Sequence, residues 1–359
     1  MDSTQFVVRR DQLGEHALVT EPLAPGPGTV TLRVDRFGFT ANNITYGVLG
    51  DLLSYWSCFP ATEPGWGILP VWGLGTVERS EVTGVAVGER VYGYFPMASH
   101  LIVQPRRIGE TGFLDGAPQR SAVSSVYNQY LRTTRDPLYR ADTEPYQAVL
   151  RPLFATAYFL ADHLAEQDLF GAGAVVLSSA SSKLAIATAR ELAAASAGRA
   201  RIGLTSARNV ERVAALGLYD RVFAYDDLAG LEAPDGAVLI DIAGDGGVRA
   251  AVHAQLGDRL RRTLGVGATH RDASVAGAGL GAEPFFAPAW IKHRTEQWGA
   301  AAVQHRLGEA WHGFLAEVRA RDWLTIVTGA GPAEVARIYD DVLAGRARPE
   351  HGYVLTLAA

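Results

Sequence analysis

From Gly171 onward, short apolar segments alternate with amphipathic segments of helical length, and this alternation restricts the folds open to the chain. The short segments are typical of buried strands, and the longer ones place apolar residues at helical spacing. The pattern predicts an α/β fold with a doubly wound parallel sheet covered by helices on both faces. The predicted strands are Ala174–Ser178, Ile202–Leu204, Arg221–Ala224, Val238–Ile242 and Leu264–Gly267, and the predicted helices are Ser182–Ala195, Val210–Leu216 and Val248–Leu256.

The residues on either side of this region have a different character. Residues 1–110 are predicted to be β-rich, because Gly and Pro separate short segments such as Val30–Val34. Residues 111–150 are polar and irregular, which indicates an excursion over the surface or beside a pocket. The two predicted domains are therefore 1–150 with 320–359, and 151–319. Further predicted elements are helices at 151–165, about Ile291–Arg319 and Pro332–Leu343, and strands at Leu324–Val327 and Tyr353–Leu357.

Composition excludes several classes of protein. The net charge is −5 and the basic residues are not clustered, so a nucleic-acid surface is not expected. No apolar run approaches the roughly 20 residues that span a bilayer, and no signal peptide is recognised at the N-terminus. The single cysteine, Cys58, excludes an internal disulfide and a thiolate-rich zinc site. It fits a reducing cytoplasm, which is the expected location.

The turn after the first strand of the α/β region carries the clearest chemical signal. Small and polar residues follow the strand, and a helix then begins. In a dinucleotide-binding fold this turn and helix N-terminus face a pyrophosphate, and small residues allow the close approach. We predict that Ser179, Ala180, Ser181, Ser182 and Lys183 bind the phosphates. The alternative is a capped helix start without a ligand, since Ser182 is a good N-cap.

The end of the second strand distinguishes between the two nicotinamide cofactors. An NAD site places an acidic residue here for the ribose 2′-hydroxyl, and this chain has none. Thr205, Ser206 and Arg208 suit a 2′-phosphate instead, which favours NADP(H). The alternative is that Arg208 faces solvent at a helix start.

Several motifs, taken in order, resemble the medium-chain dehydrogenase/reductase superfamily, particularly its zinc-free quinone-reductase and enoyl-reductase branch. They are Asn42-x-x-Thr45, Gly75-x-Val77, Gly88-Glu89-Arg90-Val91, Leu216-Gly217 and Asp241-Ile242-Ala243-Gly244. Segments such as PVWGLGTVERS and APAWIKHR resemble a divergent group of that superfamily known as a domain of unknown function. The resemblance implies a GroES-like catalytic domain (1–150 and 320–359), a Rossmann domain that binds NADP(H) (151–319), and a homodimer. It also implies cofactor contacts from Ala243, Gly267 and Phe286.

The departures from the superfamily pattern concern zinc. Zinc-dependent members carry a His-Glu pair at the positions that Val71 and Trp72 occupy here. The single cysteine also lies outside the ligand pattern. Neither the catalytic nor the structural zinc is therefore expected.

A zinc-free reductase needs a hydrogen-bond donor at the acceptor oxygen and a proton source. Tyr46 is our candidate donor, with a core tyrosine as the alternative. Asn43 is a second candidate, and His270 could bind substrate or relay a proton, although both residues also suit ordinary turn or loop roles. The aromatic side chains of residues 37–72 could form part of the core or could line a pocket for a flat or apolar ligand. The candidate substrate contacts are Asn42, Tyr55, Trp56, Tyr127 and Asn128.

Three functions remain open at this point. The first is a zinc-independent, NADPH-dependent oxidoreductase that reduces an activated C=C or C=O of a small organic molecule. The second is a non-redox enzyme on the same fold, such as a lyase or retro-aldol catalyst. The third is a non-catalytic NADP-binding protein, because a fold alone does not fix a function.

Overall fold

The computed structural model describes residues 1–196, 198–266 and 281–357. The chain divides into two compact units, one formed by Met1–Pro152 with Leu324–Ala359 and the other by Leu153–Trp323. Within the described ranges, no helix is long and apolar enough to cross a membrane.

The first unit is built mainly from antiparallel strands. In chain order, its elements up to residue 132 are β1 (Asp2–Arg9), β2 (His16–Pro22), β3 (Val30–Phe39), α1 (Ala41–Val48), β4 (Trp66–Gly67), β5 (Pro70–Ser80), β6 (Arg90–Pro96), β7 (His100–Val103), β8 (Pro105–Arg106), β9 (Gly112–Asp115) and β10 (Gln129–Arg132). Strands β2, β1 and β4 form a small sheet. Helix α1 begins at a capping box, in which Thr40 and Asn43 satisfy each other's backbone groups.

Helix α2 (Glu144–Glu166) leads into the second unit, which contains one six-stranded parallel sheet. The strand order is β13-β12-β11-β14-β15-β16. The elements are β11 (Ala174–Leu177), α3 (Lys183–Ala195), β12 (Ala200–Thr205), α4 (Val210–Ala215), β13 (Arg221–Ala224), β14 (Ala237–Asp241), α5 (Gly246–Leu256), β15 (Leu260–Gly265), β16 (Glu283–Pro284), α6 (Ala287–Trp298) and α7 (Ala300–Ala320). The predicted doubly wound parallel sheet is confirmed, with each βα unit in the predicted order.

The chain ends in the first unit with β17 (Thr325–Ala330), α8 (Pro332–Leu343) and β18 (His351–Thr356). These strands extend the large sheet, whose order is β17-β18-β3-β5-β6-β10-β9-β8 with β7 also paired to β3. The predicted β-rich part is thus confirmed as a multi-stranded sheet.

Two local predictions were wrong. The long helix expected at about Ile291–Arg319 is two helices, because Gly299 between α6 and α7 has a φ of 81°, which a continuous helix does not allow. The segment 111–150 is less irregular than expected, since it contains β9 and β10. Its Arg120 side chain is buried, which counts against an excursion over the surface, while a position beside a pocket stays a prediction.

Candidate functional site

The turn after β11 is held by the side chain of Ser178. Its Oγ donates to Asp241 Oδ1 (3.0 Å) and accepts from the backbone N–H groups of Ile242 and Ala243 (2.8 and 2.9 Å). Ser178 and both N–H donors are buried. The ends of the adjacent strands β11 and β14 are therefore tied together beneath the predicted phosphate turn. Asp241 also pairs with the buried Arg249 at 2.7 Å.

The backbone of the turn donates largely within the protein. Ser179 has a left-handed φ of 51°, and its N–H donates to the hydroxyl of Tyr225 at 2.8 Å. The N–H of Ala180 donates to Leu204 O, and that of Ser182 to Ser179 O. The Ser182 side chain caps α3 by accepting from Ala185 N, as predicted for a helix start. An anion at this turn would be met mainly by side chains, because these three N–H groups are already engaged.

Polar side chains from β12 and α4 converge on Ser181. Thr205 Oγ1 and Asn209 Nδ2 lie 3.3 and 3.5 Å from Ser181 Oγ, and Arg212 Nη2 donates to Ser181 O at 3.4 Å. Asn209 also donates to Ser206 Oγ at 3.0 Å. The structure therefore brings the predicted residues Ser181, Thr205 and Ser206 together.

Three further predicted cofactor residues have less direct support. Arg208 is exposed, so the guanidinium nearer the turn is that of Arg212. The backbone N–H of Ala243 is already bonded to Ser178, and Phe286 is 44% exposed at the start of α6. Gly267 and His270 lie outside the described residues.

The first unit contains a largely buried group of rings, which we call the aromatic cluster: Tyr46, Tyr55, Trp72, Tyr92, Tyr94 and Tyr127. The tyrosines are buried and Trp72 is half-buried. Tyr46 lies 4.7 Å from Tyr55 and 5.6 Å from Tyr94 between ring centroids. Trp72 stacks on Tyr92 at 5.7 Å and lies 5.0 Å from Tyr94. Helix α1 supplies Tyr46, and the paired strands β5 and β6 supply Trp72, Tyr92 and Tyr94.

The Tyr46 hydroxyl is an acceptor within this cluster. Trp72 Nε1 donates to it at 3.2 Å, and Asn42 lies four residues earlier on the same helix α1. Burial raises the pKa of Tyr46 well above its ordinary value, while the hydrogen bond from Trp72 and the nearby Asn42 amide act in the opposite direction. Among the described residues, none accepts the proton of this hydroxyl.

Two other hydroxyls in the cluster have no hydrogen-bond partner within the described ranges. They belong to Tyr92 and Tyr94, and both are buried. By contrast, the hydroxyls of Tyr55 and Tyr127 lie 3.0 Å apart and bond to each other. An unpartnered buried hydroxyl is uncommon in a folded protein and indicates a place for water or ligand.

The remaining predicted substrate and catalytic residues have structural contacts. Asn43 accepts from Thr40 N at 2.8 Å and donates to Pro70 O at 3.1 Å, so its amide is used in capping α1 and anchoring it to β5. Trp56 is buried against Gly50 and Gly67. Asn128 accepts from Arg120 Nε at 3.0 Å.

The positions of zinc ligands in the resembling family lie on β5. Val71 is fully buried, and Trp72 belongs to the aromatic cluster. Within the part of the chain that the structure describes, no group of three or more His, Cys, Asp or Glu side chains could hold a metal ion.

One family model matches the chain over residues 37–348, and its description is "Protein of unknown function (DUF2855)". The chain belongs to this family. The predicted membership of a divergent group of unknown function is thereby confirmed. No curated protein matches this DUF2855 member.

Solved structures share its fold over the full length at low sequence identity. CurA from Vibrio vulnificus, in complex with NADPH, is 15% identical with a TM-score of 0.64, and 99% of each chain is covered. The quinone oxidoreductase from Coxiella burnetii is 14% identical with a TM-score of 0.56. The yhdH oxidoreductase from Salmonella enterica, in complex with NADP, is 15% identical with a TM-score of 0.55. In both comparisons 99% of each chain is covered. The resemblance to quinone and enoyl reductases is confirmed at the level of the fold.

The structure of this DUF2855 member places several residues near the turn and in the aromatic cluster that the sequence does not single out for a site. They are Tyr92 and Tyr94 in the cluster, and Asn209, Arg212 and Tyr225 near the turn. Trp72 falls among the aromatic residues of 37–72 that the sequence offers as a core or as a pocket. The alternation of Trp72 with Val71, and of Tyr92 and Tyr94 with Gly93, was the available signal for a shared sheet face.

Proposed function

We propose that the protein is a zinc-independent, NADPH-dependent reductase that transfers hydride to an activated C=C or C=O of a small organic molecule. The observation that carries this proposal is the convergence of Thr205, Asn209 and Arg212 on Ser181, at the turn that opens α3. The fold is shared with proteins crystallised with NADPH or NADP, which supports the same cofactor here.

The residues around the turn fit a dinucleotide. Gly203 allows the close approach that such a turn requires, because a Cβ on it would lie 2.9 Å from Ala180 Cβ. Ser181, Ser182 and Lys183 would meet the pyrophosphate. The Tyr225 hydroxyl accepts from Ser179 N and can donate its own proton to a phosphate oxygen. Arg212 and Arg208, with Thr205 and Ser206, would meet the 2′-phosphate.

When bound, the cofactor would supply the hydride. The aromatic cluster would hold a flat, conjugated acceptor against its rings, and the unpartnered hydroxyls of Tyr92 and Tyr94 would give it hydrogen bonds. Tyr46 would donate to the acceptor oxygen and then supply the proton that completes the reduction. Asn42, Tyr55 and Tyr127 would shape the substrate side of this cluster.

Calorimetry with NADPH, NADH and NADP tests the cofactor. We expect NADPH to bind more tightly than NADH, and Arg212→Ala to reduce this preference more than Arg208→Ala, because the Arg212 guanidinium contacts the turn. If none of the three nucleotides binds, the proposal is refuted and a non-redox enzyme on this fold is favoured.

A panel of enones, quinones and aldehydes, followed by loss of NADPH absorbance, tests the reaction. Turnover of a conjugated carbonyl supports the proposal, and Tyr46→Phe should lower the rate far more than cofactor affinity. Tight NADPH binding without turnover of any acceptor would instead favour a non-catalytic NADP-binding protein.

We also propose that the protein acts as a homodimer in the cytoplasm. The homodimer is inferred from the superfamily that the sequence resembles, and the lone, buried Cys58 fits a reducing compartment. Sedimentation analysis of the purified protein would test the dimer.

A further inference from the structure

Trp72 makes a specific contact with the candidate proton donor. Its indole N–H donates to the Tyr46 hydroxyl at 3.2 Å, and its ring is fixed by stacking on Tyr92 at an interplanar angle of 16°. Trp72 is also the cross-strand partner of Tyr94. Because the ring packs against both tyrosines, the direction of the N–H is set by packing.

Helix α1 holds Tyr46 in place for this contact. The backbone of the helix is fixed by the capping box of Thr40 and Asn43, and Asn42 shares the helix face of Tyr46 four residues before it. Strand β5 therefore directs the Trp72 donor at a phenolic oxygen that α1 positions.

The consequence concerns the proton of Tyr46. A hydroxyl has two acceptor lone pairs and one proton. With one lone pair engaged by Trp72, the O–H bond points away from that donor. No residue in the described ranges accepts it, so the proton is available to a bound molecule.

We propose that Trp72 is a positioning residue that orients the Tyr46 proton toward the substrate and stabilises the phenolate left after its transfer. This inference rests on the proposed reductase function. It also assigns a role to the residue that stands where zinc-dependent members of the resembling family carry a metal ligand. An indole N–H here stabilises a developing negative charge on an oxygen without a metal.

The step balances in protons and electrons. Hydride addition leaves an electron pair on the substrate as an enolate or alkoxide. The Tyr46 O–H bond breaks, its proton forms a C–H or O–H bond on the product, and the phenolate keeps the electron pair of the broken bond. Trp72 donates to that phenolate, which then regains a proton from solvent water.

The first test observes the hydrogen bond without using activity. The seven tryptophans give seven indole N–H resonances in a nitrogen-15 correlation spectrum. Trp72→Phe identifies one of them by its loss. We expect Tyr46→Phe to move that resonance upfield, and to leave the Trp66 resonance in place. An unmoved Trp72 resonance would overturn the proposal.

The second test separates catalysis from binding. Trp72→Phe keeps an aromatic ring beside Tyr92 and Tyr94 but removes the N–H, and Trp66→Phe is the matched control on β4. Hydrogen bonds to charged groups stabilise by amounts that correspond to roughly tenfold to hundredfold in rate. We therefore expect kcat of Trp72→Phe to fall by that factor with little change in KM.

The outcomes distinguish the two proposals. An active wild type with an unchanged kcat in Trp72→Phe would refute the positioning role while leaving the reductase function intact. A rise in KM with unchanged kcat would show that Trp72 only shapes the substrate site, and this result would also refute the positioning role. A wild type without turnover on the acceptor panel would refute the reductase function and, with it, the catalytic role of the hydrogen bond.

Discussion

Replacement of Ser178 by alanine should destabilise the second unit more than its small size suggests. The hydroxyl of Ser178 is the acceptor for two buried N–H groups, those of Ile242 and Ala243, and a donor to Asp241. Alanine fits the same space but accepts no hydrogen bond. A buried donor that loses its only acceptor costs about 1–3 kcal/mol.

The magnitude follows from the number of hydrogen bonds that the variant loses. Loss of the Ser178 acceptor at two buried N–H groups predicts a loss of roughly 2–6 kcal/mol of unfolding free energy. Asp241 adds little to this loss, since it keeps Gly244 N and Arg249 as donors. For a unit of this size the loss corresponds to a fall of roughly 4–24 °C in the melting temperature.

Differential scanning calorimetry measures this change, and Ser181→Ala provides a matched control. Ser181 is half-buried and its hydroxyl contacts are longer, at 3.3 and 3.5 Å, so its removal should cost less than about 1 kcal/mol. Hydrogen exchange at Ile242 and Ala243 should accelerate only in Ser178→Ala. A Ser178→Ala protein that melts within a degree of the wild type would refute the reasoning.

Two further perturbations test the first unit. Arg120→Met should lower the free energy of unfolding by roughly 3–5 kcal/mol in a denaturant titration, because it leaves the buried carboxylate of Asp115 without its cationic partner. The control variant Arg106→Met, at an exposed residue of β8, should lower it far less. Burial opposes the charged form of Glu144, but bonds from Arg90 and Tyr139 outweigh it, so the pKa of Glu144 is lower in the fold than its ordinary value. Its stabilisation is therefore present above a pH of about 4.3 and is lost as the pH falls through the folded pKa. Glu144→Gln should lower the free energy of unfolding at pH 7, and the difference from wild type should shrink toward pH 3; a constant difference would contradict this.

The parallel sheet could be predicted because its signal is local. Strands such as β11 and β14 are buried on both faces and read as continuous apolar runs, and each is followed by a helix-length segment. The break at Gly299 was missed because one glycine inside an amphipathic pattern is tolerated in many helices, and only its φ shows the interruption.

The site was less accessible from the sequence, because its contacts join residues that are far apart in the chain. Trp72 lies 26 residues from Tyr46, and Tyr225 lies 46 residues from Ser179. The register of β5 with β6 decides that Trp72 faces Tyr94, and no local pattern encodes that register. Tyr46 and Ser181 could be named as candidates from motifs, but their hydrogen-bond partners depend on the tertiary fold.

Two hydrogen-bond networks bear on whether the protein binds a ligand. Ser178 completes one with Asp241, and Trp72 completes the other with Tyr46. The hydroxyls of Tyr92 and Tyr94, however, lie beside the second network and have no partner among the described residues. Each such hydroxyl costs about 1–3 kcal/mol if nothing bonds to it, whereas phenylalanine would pack there at no such cost. Two costs of this size at one cluster are better explained by a bound oxygen, from substrate or water, than by a core built only for stability. This reasoning favours a ligand-binding role for the aromatic cluster over a purely structural one.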